Sequence, residues 1–409
     1  MSFISFLRIN ARWLLVGFLL TLTSSWGQTF FISIFAGEIR AEFGLSHGAW
    51  GGIYSLGTTA SAVVMLWGGA LTDRFRVRSL GGIVVLGLAA ACLAMSLVSA
   101  VWALPLVIFA LRFAGQGMST HLAGVAMARW FIAARGRALS VAMLGISAGQ
   151  AFLPMIFAAL LLIFDWRALW LIAAVMAALI APLLYSLLRQ ERTPQSCDET
   201  GHSTGMFGRH WTRREALRSP VAWLMVPMLI GPPAWGTALL FQQVHLTEIK
   251  GWSLVDFVAL FPLLTVASIG ATFASGWAID RFSAIRLIPF LALPWALTFV
   301  ILAGAQSIGM AAIGMVVFGL ATGGGSTLPI AFVAEVFGTR NIGSIKAVAA
   351  ALGVFGSAIG PGVTGYMIDF GIGFETQLRG FALYFVFAGG FAWLASARVK
   401  RAVLSPSAP

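Results

Sequence analysis

Apolar stretches of about 20 residues recur along nearly the whole chain, and they constrain its fold more than any other feature. A helix of that length crosses roughly 30 Å of hydrocarbon, where lipid offers no partner for unpaired backbone groups. Of the 409 residues, 59% are apolar and only 10% are charged. The pattern predicts an all-α integral membrane protein with twelve transmembrane helices. We place these helices at residues 11–36, 48–71, 79–99, 101–127, 138–163, 167–189, 219–243, 255–278, 286–305, 308–333, 344–369 and 380–397.

The basic residues are distributed unevenly between the two sides of the predicted membrane. With the N-terminus inside, only Arg40, Arg167, Lys250 and Arg379 fall outside, and every other Lys or Arg except Arg112 falls inside. This asymmetry follows the positive-inside rule. The formal charge of +12 therefore orients the chain in a membrane and does not indicate a nucleic-acid partner. We expect a multi-pass protein of the bacterial cytoplasmic (inner) membrane with both termini in the cytoplasm.

One long hydrophilic stretch divides the predicted helices six and six. It predicts an N-terminal lobe at residues 1–189, a cytoplasmic linker at 190–218 and a C-terminal lobe at 219–409. The basic end of the linker, "RHWTRREALR", favours a short helix along the inner membrane surface, where cationic side chains meet anionic lipid. A solvated linker without that contact is the alternative.

A repeated motif relates the two lobes. "GGALTDRF" at residues 68–75 returns as "SGWAIDRF" at 275–282, and the same offset of 207 positions pairs further polar, glycine and proline residues. These pairs are Gly117 with Gly324, Ser119 with Ser326, Thr120 with Thr327, Gly136 with Gly343, Gly149 with Gly356, and Pro154 with Pro361. Because each lobe has an even number of helices, the duplication predicts two pseudo-symmetric six-helix bundles related by an axis along the membrane normal.

The inner-loop sequence "GALTDRFRVR", residues 69–78, resembles the motif Gly-x-Leu-x-Asp-Arg-x-Gly-x-Arg of the major facilitator superfamily of secondary transporters, with Arg76 in place of the second glycine. The resemblance extends over essentially the full length. The stretch from Arg112 through "RWF", "RGRAL" and "DWRALWLI" is similar to the bacterial monocarboxylate and oxalate:formate branch. The superfamily implies two lobes that alternate access to a central site by a rocker-switch motion, as a monomer.

The resemblance also implies a gate. In the family, the inner-loop cluster latches the inner gate, and the matching positions here are Gly69, Asp73, Arg74 and Arg78 in the first half. Gly276, Asp280 and Arg281 are their counterparts in the second half. A purely topogenic role for these charges is the alternative.

Arg112 is the one formal charge within a predicted membrane helix, because all fourteen carboxylates fall in loops or at helix ends. Ionisable residues at membrane depth are costly and therefore informative. At α-helical spacing, Gln116 and Ser119 share the face of Arg112. The planar guanidinium suits a carboxylate or another oxyanion. Alternatively, Arg112 bonds to neighbouring helices without touching substrate.

Helices one, four, seven and ten line the cavity in the superfamily, and their polar residues here complete the predicted substrate site. The remaining candidates are Ser25, Gln28, Gln242 and Ser326, with Tyr54 shaping the cavity wall. His121 and His245 are candidates for proton coupling because imidazole titrates near neutral pH. The alternatives are that His121 packs against another helix and that His245 is a rim residue at the outer end of helix seven.

Three functions remain open from the sequence. The leading prediction is transport of a small organic anion, a carboxylate, across the cytoplasmic membrane. Export of hydrophobic compounds, with Arg112 structural, is the second, and a non-transporting sensor is the third. We find no phosphate-binding glycine loop, metal-ligand cluster or nucleophile with its base. We therefore expect no enzymatic activity, cofactor or metal, and only a small-molecule substrate and the lipid bilayer as partners.

Overall fold

The structure is a computed structural model that describes residues 3–131, 134–189, 205–208, 210–338 and 341–404. Within these ranges the chain is helical and contains no strand. The predicted linker therefore lies largely outside the described residues, except for its C-terminal end. The all-α membrane fold expected from the sequence is confirmed.

The chain divides into two compact units, which are described separately below. The first comprises Met1–Asp198 together with Leu240–His245, and the second comprises Glu199–Leu239 with Leu246–Pro409. The long helices of the first unit are α1 (Phe3–Thr23), α2 (His47–Gly68), α3 (Val77–Leu97), α4 (Val101–Trp130), α5 (Arg135–Leu161) and α6 (Trp166–Leu187). The long helices that follow are α7 (Pro220–Phe241), α8 (Phe261–Phe282), α9 (Ala284–Gly304), α10 (Ile308–Phe337), α11 (Ile342–Asp369) and α12 (Phe374–Leu404).

Short helical segments connect several of these, and Ser24–Gly27 and Thr29–Ile32 continue α1 beyond Thr23 with a break at Gln28, so α1 includes them from here on. The short segments are Ser24–Gly27, Thr29–Ile32, Ser33–Phe35, Ala36–Phe43, Leu71–Arg74, Met206–Gly208, Arg213–Arg218, Gln243–Lys250 and Leu254–Val258. We call Arg213–Arg218 the linker helix. Its N-terminus carries a reciprocal cap, in which the Thr212 hydroxyl accepts from the Glu215 backbone and the Glu215 carboxylate accepts from the Thr212 backbone. Such a cap satisfies two otherwise unpaired backbone donors.

Eleven helical segments of the described chain are long and apolar enough to cross a membrane. The helix α2 is not among the eleven, although it has 22 residues. Its glycine, serine and threonine residues lower its hydropathy, which is why this helix, the second predicted span, differs from the other eleven. Its N-terminus is capped by the Ser46 hydroxyl, which accepts from the Ala49 N–H at 3.1 Å.

The same helix pairs pack together in both units. In the first unit α1 packs on α5, α2 on α4, and α3 on α6; in the second, α7 packs on α11, α8 on α10, and α9 on α12. The sequence offset of 207 positions relates each pair to its counterpart. The duplication seen in the sequence is therefore also a duplication of packing.

Glycines on α5 and α11 bring these helices against α1 and α7. A Cβ on Gly149 would collide with the Ser25 hydroxyl of α1, and a Cβ on Gly356 would come within 2.8 Å of the Ile230 carbonyl oxygen of α7. Real Cβ atoms essentially never approach so closely. Equivalent glycines thus make the equivalent contact, as expected for close helix packing without side chains.

The α8 and α10 helices meet at glycines of α10. A Cβ on Gly319 would collide with the Leu264 carbonyl oxygen and come within 2.7 Å of the Ala267 Cβ, and one on Gly323 would collide with the Ser268 carbonyl oxygen. The hydroxyls of Ser275 and Thr327 also pair across this seam at 2.7 Å. Two helices so close together gain dispersion contacts along their whole length.

The turn between α8 and α9 is held by one carboxylate. Ser283 has φ +71°, a left-handed value that is uncommon for a residue with a side chain. The Glu335 carboxylate accepts hydrogen bonds from the Ser283 hydroxyl at 2.5 Å and from the backbone N–H groups of Ala284 at 2.9 Å and Ile285 at 3.1 Å. Glu335 therefore fixes a strained turn and satisfies the first donors of α9.

Candidate functional site

The middle of α4 departs from regular α-helical geometry. Residues Arg112–Ser119 form a π-helical segment, in which backbone bonds join residues five apart. The Ser119 hydroxyl, fully buried, donates to the Ala114 carbonyl oxygen at 2.8 Å, five residues earlier. The expected line of Arg112, Gln116 and Ser119 assumed α-helical spacing, so the wider turn alters it, and Ser119 bonds to its own helix.

The guanidinium of Arg112 is held at the meeting point of α1, α2 and α4. The residue is only 1% exposed. Its Nη1 donates to the Gly27 carbonyl oxygen at 3.1 Å and lies 3.4 Å from the Thr29 hydroxyl. The ring of Tyr54 lies 5.3 Å from the guanidinium carbon, within the range of a cation–π interaction.

A break in α1 provides the carbonyl group that Arg112 uses. The backbone of Gln28 is extended, with φ −90° and ψ 152°, between the 3₁₀ turn Ser24–Gly27 and the next helical turn. As a result the Phe31 N–H donates to the Gln28 carbonyl at 3.2 Å and not to that of Gly27, as a continuous α-helix would require. The Gly27 carbonyl is thereby left for the guanidinium.

Tyr54 and Thr29 complete the lining around Arg112. The Tyr54 hydroxyl and the Thr29 hydroxyl form a 2.6 Å hydrogen bond, and Tyr54 is fully buried. The ring of Phe241, which belongs to the same unit, lies 4.7 Å from the Tyr54 ring. One face of Tyr54 therefore meets an aromatic ring, while its hydroxyl is already paired.

One edge of the guanidinium has no partner. Arg112 Nε and Nη2 are both buried, and neither has a hydrogen-bond partner among the described residues. These two nitrogens are the pair whose N–H bonds point in the same direction along one edge of the planar group. That edge is the one that binds both oxygens of a carboxylate. An unpaired charged donor in a buried position is costly, which makes this edge the candidate position for an acceptor.

The other predicted substrate residues have different surroundings. Ser25 is fully buried against Gly149, Gln28 forms the break in α1, and Gln116 is half-buried on α4. Gln242 is buried within the first unit. Ser326 belongs to the second unit, where its exposed hydroxyl donates to the Gly323 carbonyl oxygen at 2.7 Å. Within the first unit, the structure brings Arg112 and Tyr54 into direct contact.

The predicted gate residues of the first half surround the end of α2. Gly69 faces the imidazole of His121, whose Nε2 lies 3.4 Å from the position of a Cβ. The side chain of Asp73 lies outside the described residues, but its neighbour Thr72 accepts from Arg129 Nη1 through its carbonyl oxygen at 2.6 Å. Arg74 is exposed at this turn.

The gate residues of both halves differ in their contacts. Arg78 lies 5.9 Å from the centre of the Tyr185 ring. In the second half Arg281 lies over the rings of Trp277 and Phe282, and Asp280 is exposed. Gly276 faces open space, so no close approach explains the glycine there.

The two histidines proposed for proton coupling lie in different places. His121 packs beside Gly69 as described. His245 meets His47 edge to face, with ring centres 4.3 Å apart, inside the first unit. Neither histidine adjoins Arg112 in the contacts that define its site.

Three positions were not identified from the sequence: Gly27 and Thr29, which contact Arg112, and Glu335, which holds the turn between α8 and α9. The first two belong to "TSSWGQT", residues 23–29, a run of small and polar residues within an apolar helix. Such a run is a signal for a broken helix at membrane depth. Glu335 gave no comparable signal, because its role depends on the turn of α9 that it contacts.

The described residues contain twelve long helices in two similarly packed bundles, with a buried cation in one of them, an arrangement typical of multi-pass membrane transporters. The profile of the Major Facilitator Superfamily matches residues 17–361. The chain therefore belongs to the Major Facilitator Superfamily, and the resemblance found in its inner-loop motif is confirmed.

Individual relatives support this assignment. A glycerol-3-phosphate transporter of Bacillus subtilis (strain 168) is 27% identical over 193 residues, which cover 42% of this chain and 43% of the relative. The match thus spans less than half the length of that relative. A bacterial homologue of the human lysosomal transporter Spinster has a similar structure, with a TM-score of 0.74, 16% identity and coverage of 97% of this chain and 99% of the other. The nucleoside transporter NupG gives a TM-score of 0.70 at 14% identity, covering 98% and 99% of the two chains. At these identities the structures show a shared fold.

Proposed function

We propose that this transporter carries a small organic anion, a carboxylate, and that Arg112 binds the anionic group. The observation that carries the proposal is the unpaired Nε and Nη2 edge of a guanidinium that is 1% exposed. Its remaining nitrogen, Nη1, is already held by Gly27. The bond from Nη1 to Gly27 thus orients the arginine, while Nε and Nη2 remain available to a ligand.

The geometry of the free edge favours a carboxylate. Two parallel N–H donors match two carboxylate oxygens, and this bidentate pairing adds specificity to charge attraction. A neutral polar solute would satisfy the hydrogen bonds without neutralising the buried charge. An anion does both, and the low dielectric around the site strengthens the attraction.

A phosphate ester is the second candidate substrate. Its support is the Bacillus subtilis relative, a glycerol-3-phosphate transporter, because glycerol 3-phosphate is also a small organic anion. Phosphate oxygens pair with a guanidinium edge in the same bidentate way. The two candidates differ in charge and shape, so a ligand screen separates them.

The duplication supports the proposed transport cycle. Two bundles with matching helix pairs form the repeat architecture used for alternating access, and we propose a rocker-switch exchange around Arg112. Because Arg112 is buried, its free edge must become accessible during the cycle. The proposed gate residues are Gly69, Asp73, Arg74, Arg78, Gly276, Asp280 and Arg281. The further proposed substrate-binding residues are Ser25, Gln28, Tyr54, Gln116, Ser119, Gln242 and Ser326.

The membrane setting is proposed from the charge asymmetry. The chain operates as a monomer in the bacterial cytoplasmic membrane, with both termini and the linker on the cytoplasmic side. If transport is coupled to protons, His121 and His245 are the candidate groups, since imidazole titrates near neutral pH.

The test is a thermal-stability screen of purified protein against carboxylates, phosphate esters, neutral solutes and lipophilic cations. A ligand that binds the folded state raises its unfolding temperature. Wild type is compared with Arg112→Gln and Arg112→Lys, and with Arg401→Gln, which removes an equal charge from an exposed position. Arg112→Lys keeps the charge and loses the planar fork.

We expect carboxylates to stabilise wild type and Arg401→Gln, to stabilise Arg112→Lys weakly, and to leave Arg112→Gln unchanged. Stabilisation by phosphate esters alone would select the second candidate. If lipophilic compounds stabilise wild type and Arg112→Gln equally, while no anion stabilises either, Arg112 is structural and export of hydrophobic compounds replaces the proposal. Uptake of the identified anion into proteoliposomes then distinguishes a transporter from a sensor.

A further inference from the structure

The second unit contains an apolar cavity that the proposed substrate site does not use. Its volume is about 120 Å³, and its walls come from the linker helix, the first turns of α7, the last turns of α10 and the first turns of α11. Apolar side chains form nearly all of the wall, among them Leu217, Trp223, Met225, Phe332, Val333 and Leu352. An apolar cavity of about this size, ~150 Å³, stays dry and takes up apolar ligands in a soluble protein.

A single charged residue stands among these apolar side chains. Arg213, the first residue of the linker helix, lines the cavity and is exposed. Its neighbour Arg214 and the following Arg218 are also exposed on this helix, but neither lines the cavity. The cavity therefore combines an apolar interior with a cation at its rim.

The cavity lies at one end of the membrane spans. The α7 span begins at Pro220, the α10 span ends at Phe337, and the α11 span begins at Val348. Because cavity residues lie near all three of these ends, the cavity lies at the boundary between the hydrocarbon and the lipid headgroups. Trp223, 64% exposed, donates its indole N–H to the Leu217 carbonyl oxygen at 2.8 Å. Exposed tryptophans are typical of this interfacial layer.

We propose that the cavity binds one acyl chain of an anionic phospholipid, with the phosphate-containing headgroup on Arg213. The acyl chain matches the apolar wall of the cavity. The headgroup charge complements Arg213, with Arg214 and Arg218 reinforcing the local positive potential. A bound lipid would tie the linker helix to α7, α10 and α11.

The cavity and the charge can be tested separately with matched variants. Ala349 lines the cavity, whereas the adjacent Ala350 is exposed and does not. Ala349→Phe fills the cavity, and Ala350→Phe adds the same bulk outside it. Arg213→Gln removes the rim cation, and Arg214→Gln removes a neighbouring cation that does not line the cavity.

The measurement is lipid retention and thermal stabilisation of delipidated protein in detergent. The probes are phosphatidylglycerol and phosphatidylcholine with identical acyl chains, and native mass spectrometry counts the bound lipid. We expect wild type to bind phosphatidylglycerol more tightly, and Arg213→Gln to lose about fivefold of that preference. Ala349→Phe should lose one bound lipid of either type, while Arg214→Gln and Ala350→Phe behave as wild type.

Two results would overturn the proposal. Equal lipid binding by Ala349→Phe and Ala350→Phe would show that the cavity holds no acyl chain. If Arg213→Gln and Arg214→Gln lose the preference for phosphatidylglycerol equally, the basic surface attracts anionic lipid only diffusely and Arg213 does not bind a headgroup at the cavity. All four variants keep Arg112, so a substrate response that persists in them separates this proposal from the proposed function.

Discussion

Gly27 and Gly115 touch through their backbones: a Cβ added to Gly115 would come within 2.7 Å of the Gly27 Cα. A Cβ on Gly27 would collide with the Leu111 carbonyl oxygen. Because Arg112 lies between Leu111 and Gly115 on α4 and bonds to Gly27, this contact sets the distance across which the guanidinium reaches α1. Small residues permit such a close approach of helices.

Gly27→Ala and Gly115→Ala should therefore destabilise the protein and displace Arg112. Overpacking typically costs about 1–3 kcal/mol, and both variants should lose ligand-induced stabilisation. Gly124→Ala is the matched control on α4, because a Cβ there meets nothing within 4 Å and a helical alanine gains up to about 1 kcal/mol over glycine. Thermal unfolding of the three variants is the measurement. Unchanged ligand stabilisation in Gly27→Ala would show that the contact does not position the site.

Tyr54→Phe and Tyr54→Leu should have separable effects. The phenylalanine keeps the ring beside Arg112 and removes the hydroxyl bonded to Thr29, so it should cost about 1 kcal/mol of stability with little effect on anion affinity. Tyr54→Leu also removes the ring, and loss of the cation–π contact should lower the stability by a further amount of about 0.5–2 kcal/mol. Unfolding midpoints and the dissociation constant of the stabilising anion test the difference. Equal affinities for all three proteins would mean that the ring does not act on bound anion.

Glu42 should make stability depend on acid pH. Its carboxylate bonds to Arg167 and accepts from the Trp166 indole at 2.8 Å, and the hydrogen bond from Arg167 holds the pKa of Glu42 below its ordinary value of 4.5. A depressed pKa means that the ionised group stabilises the folded state above pH 4.5 and that this stabilisation is lost as the pH falls through the folded pKa.

Wild type should accordingly exceed Glu42→Gln in unfolding temperature at neutral pH, and the difference should vanish in stronger acid. Its size should be small, below about 1 kcal/mol, because the pair is partly exposed and screened by solvent. Added salt should reduce it further. A difference that persists unchanged below the folded pKa would exclude ionisation of Glu42 as its cause.

Glu335→Ala should destabilise the second unit. The substitution removes the acceptor of the Ser283 hydroxyl and of the Ala284 N–H, while the Ile285 N–H keeps only its 3.3 Å bond to the Ser283 hydroxyl. Each unpaired donor that remains buried costs about 1–3 kcal/mol. Glu335→Gln retains one acceptor oxygen, so its unfolding temperature should lie between those of wild type and Glu335→Ala. The exposed Asp280→Asn controls for loss of a negative charge. If Asp280→Asn lowers the unfolding temperature as much as Glu335→Ala, charge and not the turn explains the result.

The sequence predicts most of this fold because the bilayer permits few alternatives. Length and hydropathy locate the helices, and the repeat "DRF" reveals the duplication that the packing pairs then confirm. Arg112 could be identified from the sequence because a charged residue within an apolar membrane span is costly and rarely occurs without a role. Its surroundings were not, since they depend on departures from ideal helices.

Two such departures decide the site. The break at Gln28 redirects the Gly27 carbonyl, and the π segment of α4 changes which residues share a face with Arg112. Spacing arguments assume 3.6 residues per turn and fail where one extra residue enters a turn. The polar run "TSSWGQT" is a local sequence signal for the break at Gln28. The glycines of α4 are only a weak signal for its π-helical segment.

Positions 112 and 319 are counterparts under the offset of 207 residues, yet they hold opposite kinds of residue. Arg112 occupies a polar junction, whereas Gly319 has no room even for a Cβ between α8 and α10. The two halves have therefore ceased to be interchangeable. A gene built by joining two first halves would encode two buried guanidinium groups, and one built from two second halves would encode none. The duplication supplied a scaffold with two equivalent sides, and at this pair of positions only the first half carries a buried guanidinium.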